Sequence, residues 1–237
     1  MVVNEQYIGL GIVYVGGRDV GNVSKLDFAI ETEQKTKPSF RPGGGNVASS
    51  ERVKSVKLAA TLDSFNNENL ALALRGNVEI KGSKTVTDEV VVAVMPGLIE
   101  TKETVDASKV VVVKTADDAT TYVKGTDFEV TAAGIKTLST GAIVDGASLK
   151  VTYETLAVSA LEALVNSGEE VRMVFDGIND ETGKASVVKV YRWKPAPTSG
   201  LSLIGNDYGE FDLEGECLAD DAITDTGKSK FFRREAA

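Results

Sequence analysis

The run Ala222-Ile223-Thr224-Asp225-Thr226-Gly227-Lys228-Ser229 holds most of the residue types of a phosphate-binding loop. Such a loop turns backbone N–H groups and a helix N-terminus toward phosphate, with its Lys on the outer phosphates. Here Ala222 stands where the first glycine belongs, and Asp225 would repel phosphate. Only eight residues follow Ser229, too few for the helix and the rest of a nucleotide domain. Thr182-Gly183-Lys184 fails in the same way, because Ile178 occupies the first glycine position. The segment Asp176-Gly177-Ile178-Asn179-Asp180-Glu181-Thr182-Gly183 is rich in oxygen donors for calcium. It lacks the EF-hand order of acidic residues before a central glycine, and a turn between two strands accounts for the same residues. Gly43-Gly44-Gly45 follows Pro42 in a polar stretch and reads as flexibility, not as a nucleotide fingerprint. The pairs Asp117-Asp118 and Asp220-Asp221 do not converge by spacing, since neighbours on a strand point to opposite faces.

Composition narrows the chemistry further. The chain has no His, which removes His-based acid–base catalysis, Ser-His-Asp and Cys-His arrangements, and His metal sites. Its single Cys, Cys217, removes internal disulfides and cysteine zinc sites. That suits a reducing compartment or an assembly without covalent staples. Cys217 falls on the apolar face of a strand and reads as a buried thiol, and Trp193 reads as packing. A carboxylate-only enzyme such as a glycosidase stays open in principle. Nothing marks two particular carboxylates, and 6% aromatic residues is low for a sugar cleft. No cofactor, metal or enzymatic activity is expected.

The net charge of −9 argues against a general grip on nucleic-acid backbones, which needs clustered Lys and Arg. The opening Met1-Val2-Val3-Asn4-Glu5 lacks the basic region of an export signal. No apolar run approaches the roughly 18 residues of a spanning helix. A soluble protein that is not exported by the usual signal is therefore expected.

The elements that must position any site are mainly strands. Leu26, Phe28 and Ile30 alternate with Lys25, Asp27 and Glu31. Val56, Leu58, Ala60 and Leu62 do so across the next run, and Phe211, Leu213, Gly215 and Cys217 alternate with Asp212, Glu214 and Glu216. Such patterns suit antiparallel sheets with one dry and one wet face. In 187–193, Val187, Lys189, Tyr191 and Trp193 are assigned to one face and Val188, Val190 and Arg192 to the other. One helix stands out, capped by Asp63 or Ser64, with Glu68 near its first turn and Arg75-Gly76 at its end. A weaker helix is expected over Leu161–Asn166.

Gln34–Ser50 lies between two good strands and is locally basic, and its Pro and Gly residues argue against a regular element. Compact domains rarely carry so long a structureless loop without a use for it. It is read as a binding arm with Phe40 and Arg41 as anchors and Lys35 and Lys37 beside them, against the plain alternative of surface disorder. From about Thr85 to Tyr153 the chain becomes rich in Val, Thr, Asp and Ala, with turns at Pro96-Gly97, Lys124-Gly125, Ala133-Gly134 and Asp145-Gly146. That predicts a small all-β domain over 85–153, inserted in an outer β domain of 1–84 plus 154–237.

Four pieces, in order, resemble a known family. They are the strand–long segment–strand of Val23 to Asp63, and Leu62–Gly76 with its helix. Next come Tyr122-Val123-Lys124-Gly125-Thr126-Asp127-Phe128-Glu129-Val130 with Gly141–Gly146. The last is Leu201–Tyr208 followed by the closing acidic strand. Together they resemble the tail tube (major tail) proteins of long-tailed bacteriophages (siphoviruses). The resemblance implies a tail-tube-type β-barrel or sandwich with a flanking α-helix and an inserted small all-β domain. It implies a structural virion protein assembled in the bacterial host cytoplasm, with six subunits per ring and rings stacked into a tail tube. DNA passes through that tube at genome ejection without specific binding, and no membrane is involved. Partners would be further copies and the tail terminator, tape measure and baseplate proteins. The long early segment would bridge successive rings through Lys35, Lys37, Phe40 and Arg41. An acidic wall lets duplex slide where clustered Lys and Arg would hold it, so Asp212, Glu214 and Glu216 are candidates for the lumen. Two alternatives stay open: a tail-terminator or baseplate relative of the same fold, and a cell-surface β-sandwich binding protein.

Overall fold

The computed structural model describes residues 6–237, so the expectation about Met1–Glu5 lies outside the described residues. The chain is mainly β and divides into two compact units, residues 1–78 with 161–237 and residues 79–160. The segment 85–153 expected as an insert falls wholly within the second.

The first unit opens with β1 (Gly9–Val15), β2 (Arg18–Asp19), β3 (Val23–Pro38) and β4 (Asn46–Leu62). Helix α1 (Asn67–Leu74) follows, and β5 (Asn77–Lys81) runs across the boundary between the units. The second unit contains β6 (Thr85–Val92), β7 (Leu98–Glu100), β8 (Val112–Thr115), β9 (Thr121–Tyr122), β10 (Phe128–Thr131), β11 (Gly134–Thr137) and β12 (Ser148–Glu154). The chain returns through β13 (Val158–Glu162), which pairs with β5. It then forms β14 (Val171–Asn179), β15 (Lys184–Pro195), β16 (Phe211–Cys217) and β17 (Phe232–Ala236).

In the first unit the sheet order is β2-β1-β14-β15-β16-β4-β3, with β17 also on β15. All its pairings are antiparallel. Among the described residues no sheet closes into a barrel, one of the two architectures expected. The end strand β2 has two residues, too few to carry a ladder across to β3. Instead β1 and the start of β3 line a shared cleft of about 710 Å³. The expected alternations over 56–62 and 211–217 hold, and Leu58, Leu62, Phe211 and Leu213 are buried with Trp193 and Met173. Each such side chain contributes roughly 1.5–3 kcal/mol of burial.

Three local expectations are corrected. First, β15 carries one residue more than β14 between Val190 and Trp193, which face Met173 and Val171. This bulge resets the alternation, so Trp193 and Val190 are both buried although three apart, and Trp193 leaves the face of Val187. Second, the cap of α1 is Asn66, whose side chain accepts from the Asn69 N–H at 2.8 Å. Asp63 and Ser64 are engaged elsewhere, accepting from the side chain and backbone N–H of Asn22. Third, 161–166 is not helical. The strand β13 runs to Glu162, and the N–H groups of Leu164 and Asn166 then bond to the carbonyls of Leu74 and Arg75. That segment satisfies orphan carbonyls at the end of α1 in place of forming a helix of its own.

The largest correction concerns 34–50. It is no loop but the distal part of a β3–β4 hairpin, with Gln34–Lys37 opposite Glu51–Ala48. Only the turn between Pro38 and Asn46 is irregular, and Gly43, Gly44 and Gly45 all take positive φ there. Pro38 sits at the strand end, beside a register shift, where a missing N–H is tolerated. Polar cross-strand pairs hold the ribbon: Arg52 to Glu33 at 2.6 Å and the Gln34 amide to Ser49 Oγ at 2.8 Å.

The second unit packs a three-stranded sheet (β10-β11-β7) and a four-stranded sheet (β6-β12-β8-β9) around one core that includes Phe128, Ile135, Leu149 and Val151. In β6 a bulge at Asp88, in the left-handed region at φ 52, lets both Val86 and Glu89 face inward. Glu89 is 8% exposed. Its Oε2 accepts from Tyr153 Oη at 2.6 Å and its Oε1 from the Lys102 N–H at 3.0 Å. Asp127 is a second inward carboxylate, accepting from the N–H groups of Val123 (2.7 Å) and Ala142 (2.8 Å). The Ala142 and Val123 bonds hold its carboxyl below the usual range.

Candidate functional site

The catalytic motifs dissolve into turns. Residues 222–229 form an irregular connection, and the strand β17 follows them in place of the helix that a phosphate loop requires. Lys228 pairs with Asp225 inside that turn. Asp180–Gly183 closes the β14–β15 hairpin, where the N–H groups of Thr182 and Gly183 bond to the Asn179 carbonyl. Asp118 pairs with Lys150 at 2.5 Å, and Asp221 with Lys230 at 2.9 Å, an arrangement that holds the Asp221 carboxyl low. Among the described residues no group of three or more His, Cys, Asp or Glu could hold a metal. Cys217 is buried on the dry face of β16, and burial pushes its thiol up to about 11.

The β3–β4 hairpin gathers Lys35, Lys37, Phe40 and Arg41 at one end. Strand β4 pairs with β16 only over Lys57–Leu62, so Asn46–Val56 and its β3 partners run past β16 as a two-stranded ribbon. Eight residues of β3, Glu31 to Pro38, give that ribbon a reach of about 27 Å. Phe40 is 92% exposed in the turn, and Ile30, Val47 and Val53 are exposed along the ribbon. Lys35 lies 3.9 Å from Glu33. Neither Lys37 nor Arg41 has an ion-pair partner within 4.0 Å among the described residues.

Asp212, Glu214 and Glu216 form the wet face of β16, opposite buried Phe211, Leu213 and Cys217. The register shows what lies beside them, which the sequence pattern did not. Asp212 faces Thr61 and then Lys25, Glu214 faces Ala59 and then Asp27, and Glu216 lies between Lys57 and Lys194. Thr61 Oγ1 donates to Asp212 at 2.6 Å. Lys25 is tied to Asp27 at 2.6 Å, whose hydrogen bond holds its ammonium up, and Lys57 lies 3.6 Å from Glu31. The acidic run is therefore one stripe of a mixed-charge face.

A third feature escaped the pattern reading. Between β15 and β16, residues 201–210 have no regular structure and hold Leu203, Ile204 and Tyr208 almost wholly in water. With Phe65 they line a surface cavity of about 590 Å³. Apolar residues scattered among Gly205, Asn206 and Gly209 show no period, so only their exposure in the fold reveals them.

A family model described as protein of unknown function UCP028589 matches residues 6–235. The chain belongs to this family. The match to UCP028589 extends across both units and includes the ribbon, the acidic strand and the apolar loop. No curated protein matches the chain.

Proposed function

We propose that this chain is a tail tube protein of long-tailed bacteriophages, a structural subunit whose rings stack into a DNA conduit. The observation that carries the reading is the projecting β3–β4 ribbon. It extends past the neighbouring strand β16, holds exposed apolar side chains along its length, and ends in Phe40 and Arg41. A ribbon of this kind gains little within its own subunit, and a projecting hairpin tipped by an exposed aromatic with an Arg beside it suits docking on a partner. In the tail-tube reading the partner is the next ring, with Lys35, Lys37, Phe40 and Arg41 as the contact. The β16 stripe Asp212, Glu214 and Glu216 is the lumen candidate, and Lys25, Lys57 and Lys194 beside it temper the repulsion of duplex phosphate. The role is structural, without catalysis or cofactor.

Negative-stain microscopy of the purified full chain tests this. Tubes are expected. Single rings would favour a tail-terminator or baseplate relative, and monomers a cell-surface β-sandwich binding protein. Replacing Phe40 and Arg41 together by Ala should leave the fold intact by circular dichroism and shorten the tubes. Replacing Asp212, Glu214 and Glu216 together by Lys should slow DNA ejection while tubes still form. Normal ejection kinetics would move the lumen to another face.

A further inference from the structure

We infer that the cavity lined by Phe65 and the 201–210 loop is the receptor for the β3–β4 turn of a second copy of this chain. The inference rests on the self-assembly reading above and adds the receptor, which neither the family match nor the tail-tube resemblance supplies. The cavity has apolar walls, with Leu203 79%, Ile204 94% and Tyr208 98% exposed. Its rim is acidic, with Asp63, Asp207 and Glu210, and residues 201–210 contain no Lys or Arg. The turn is the converse. Phe40 projects into water, Lys35 and Lys37 precede it along β3 and Arg41 follows it, and 34–50 contains no Asp or Glu. An exposed aromatic with an Arg beside it is the usual anchor of an interface, and an acidic rim supplies orientation and selectivity.

Geometry excludes a contact within one subunit. Strand β4 starts at the turn and ends at Leu62, one residue before the cavity rim at Asp63. Turn and cavity therefore lie at opposite ends of one extended strand and cannot meet within a subunit. A patch that fits a different patch on an identical copy makes a head-to-tail contact, which propagates instead of closing on a dimer. The 17 residues of β4 and the turn beyond them limit the repeat along the assembly to about 60 Å.

The test places one cysteine on each side, Ser39→Cys beside the anchor and Asn206→Cys on the cavity wall, in the full chain, so that Phe40, Arg41 and the apolar wall stay in place. Cys217 is buried and does not compete. After mild oxidation the double variant should give a ladder of disulfide-linked species on a denaturing gel. A mixture of the two single variants should give a dimer band, and neither alone should cross-link. Charge reversal gives a second readout. Arg41→Glu should raise the concentration needed for assembly about fivefold, the factor of one exposed ion pair, and Asp207→Arg in the same chain should restore it. Tubes of normal length without the cross-link would overturn the receptor and leave the tail-tube reading standing. A ladder without tubes would uphold the receptor and overturn the tube. A chain that stays monomeric at every concentration, with no cross-link, would overturn both.

Discussion

Replacing Tyr153 by Phe removes one oxygen from the middle of the second unit and should change stability in two opposite ways. Tyr153 is fully buried, and its hydroxyl donates to the buried Glu89 carboxylate at 2.6 Å. It also lies 3.4 Å from the Glu103 N–H. At neutral pH the variant leaves Glu89 with the Lys102 N–H as its one remaining bond given above, in a site that water reaches poorly. Loss of a charge-assisted bond of this kind costs about 2 kcal/mol. Alkaline pH closes the gap. Burial, and then the hydrogen bond to Glu89, raise the Tyr153 phenol from 10.0 to about 12. The folded state holds the proton more tightly than the unfolded state. Its contribution is therefore complete below about pH 10 and is lost as pH rises from 10 to 12. Two pH units correspond to about 3 kcal/mol. The Phe variant lacks that loss, so the two stability curves should approach each other above pH 10 and meet near pH 12.

Urea denaturation followed by circular dichroism from pH 7 to 12 measures both effects. Other tyrosines and the lysines titrate in the same range, so the difference between the two proteins is the observable. At pH 7, amide exchange in β6 and β12 should quicken by about thirtyfold, the factor for 2 kcal/mol. Equal stability at neutral pH would show that water replaces the hydroxyl at Glu89. A constant gap up to pH 12 would show that the phenol ionises as easily in the fold as outside it. Either result would refute the reasoning.

Three further outcomes are expected. Asp127→Asn should cost about 1–2 kcal/mol at pH 7, measured by urea denaturation. Because the folded carboxyl is held low, its contribution is present above its unfolded value and fades as pH falls through the folded one, so variant and parent should converge in acid. Asn69→Ala should destabilise the first unit by about 1–3 kcal/mol in thermal or urea melts, since its buried amide donates to the carbonyls of Val20 (2.8 Å) and Ser64 (3.0 Å), and the Val20 carbonyl would lose its partner while Ser64 keeps the Asn66 N–H. Replacing 79–160 by a short Gly/Ser linker should leave a folded first unit that still assembles under the microscope. The chain ends to be joined are adjacent there, because a side chain at Gly76 would lie 2.5 Å from the Glu162 carbonyl oxygen.

What the sequence disclosed follows from where water lies. Along β4 from Val56 and along β16, one face is dry and the other wet, so residue type alternates with the pleat and both strands are legible. The distal ribbon has water on both faces. Its period-2 pattern carries no hydrophobic signal, and the Pro and Gly residues of the turn dominate the reading of the whole segment. What pairs it, Glu33 with Arg52 and Gln34 with Ser49, joins residues that gain meaning only once the register is known. Glu89 was illegible for the same reason. A carboxylate in a strand reads as wet unless Tyr153, far along the chain, supplies its partner. The wet face of β16 shows the converse. The acidic residues of β16 were correctly placed on the wet face, but Lys25, Lys57 and Lys194 come beside them from strands distant in sequence.

Strand β4 joins these observations into one mechanical argument. Its last residues are fixed in the core: Leu58 and Leu62 are fully buried and Lys57–Leu62 pair with β16. Its first residues share a ladder with β3 alone and extend beyond β16. A load applied to Phe40 is carried into the core along the paired strands β3 and β4, across the register shift between Glu31 and Thr32 at the base of the ribbon. A structureless arm would first have to be ordered, at roughly 1–2 kcal/mol of backbone entropy per residue. The ribbon has met most of that cost on folding, and only the turn between Pro38 and Asn46 remains to be fixed on docking. In the assembly proposed above, preorganisation of that kind is what lets a small apolar tip and a few charges suffice as the contact between copies. It also predicts where weakness will concentrate: loosening the ribbon at Arg52 or Gln34 should impair assembly without touching either contact surface.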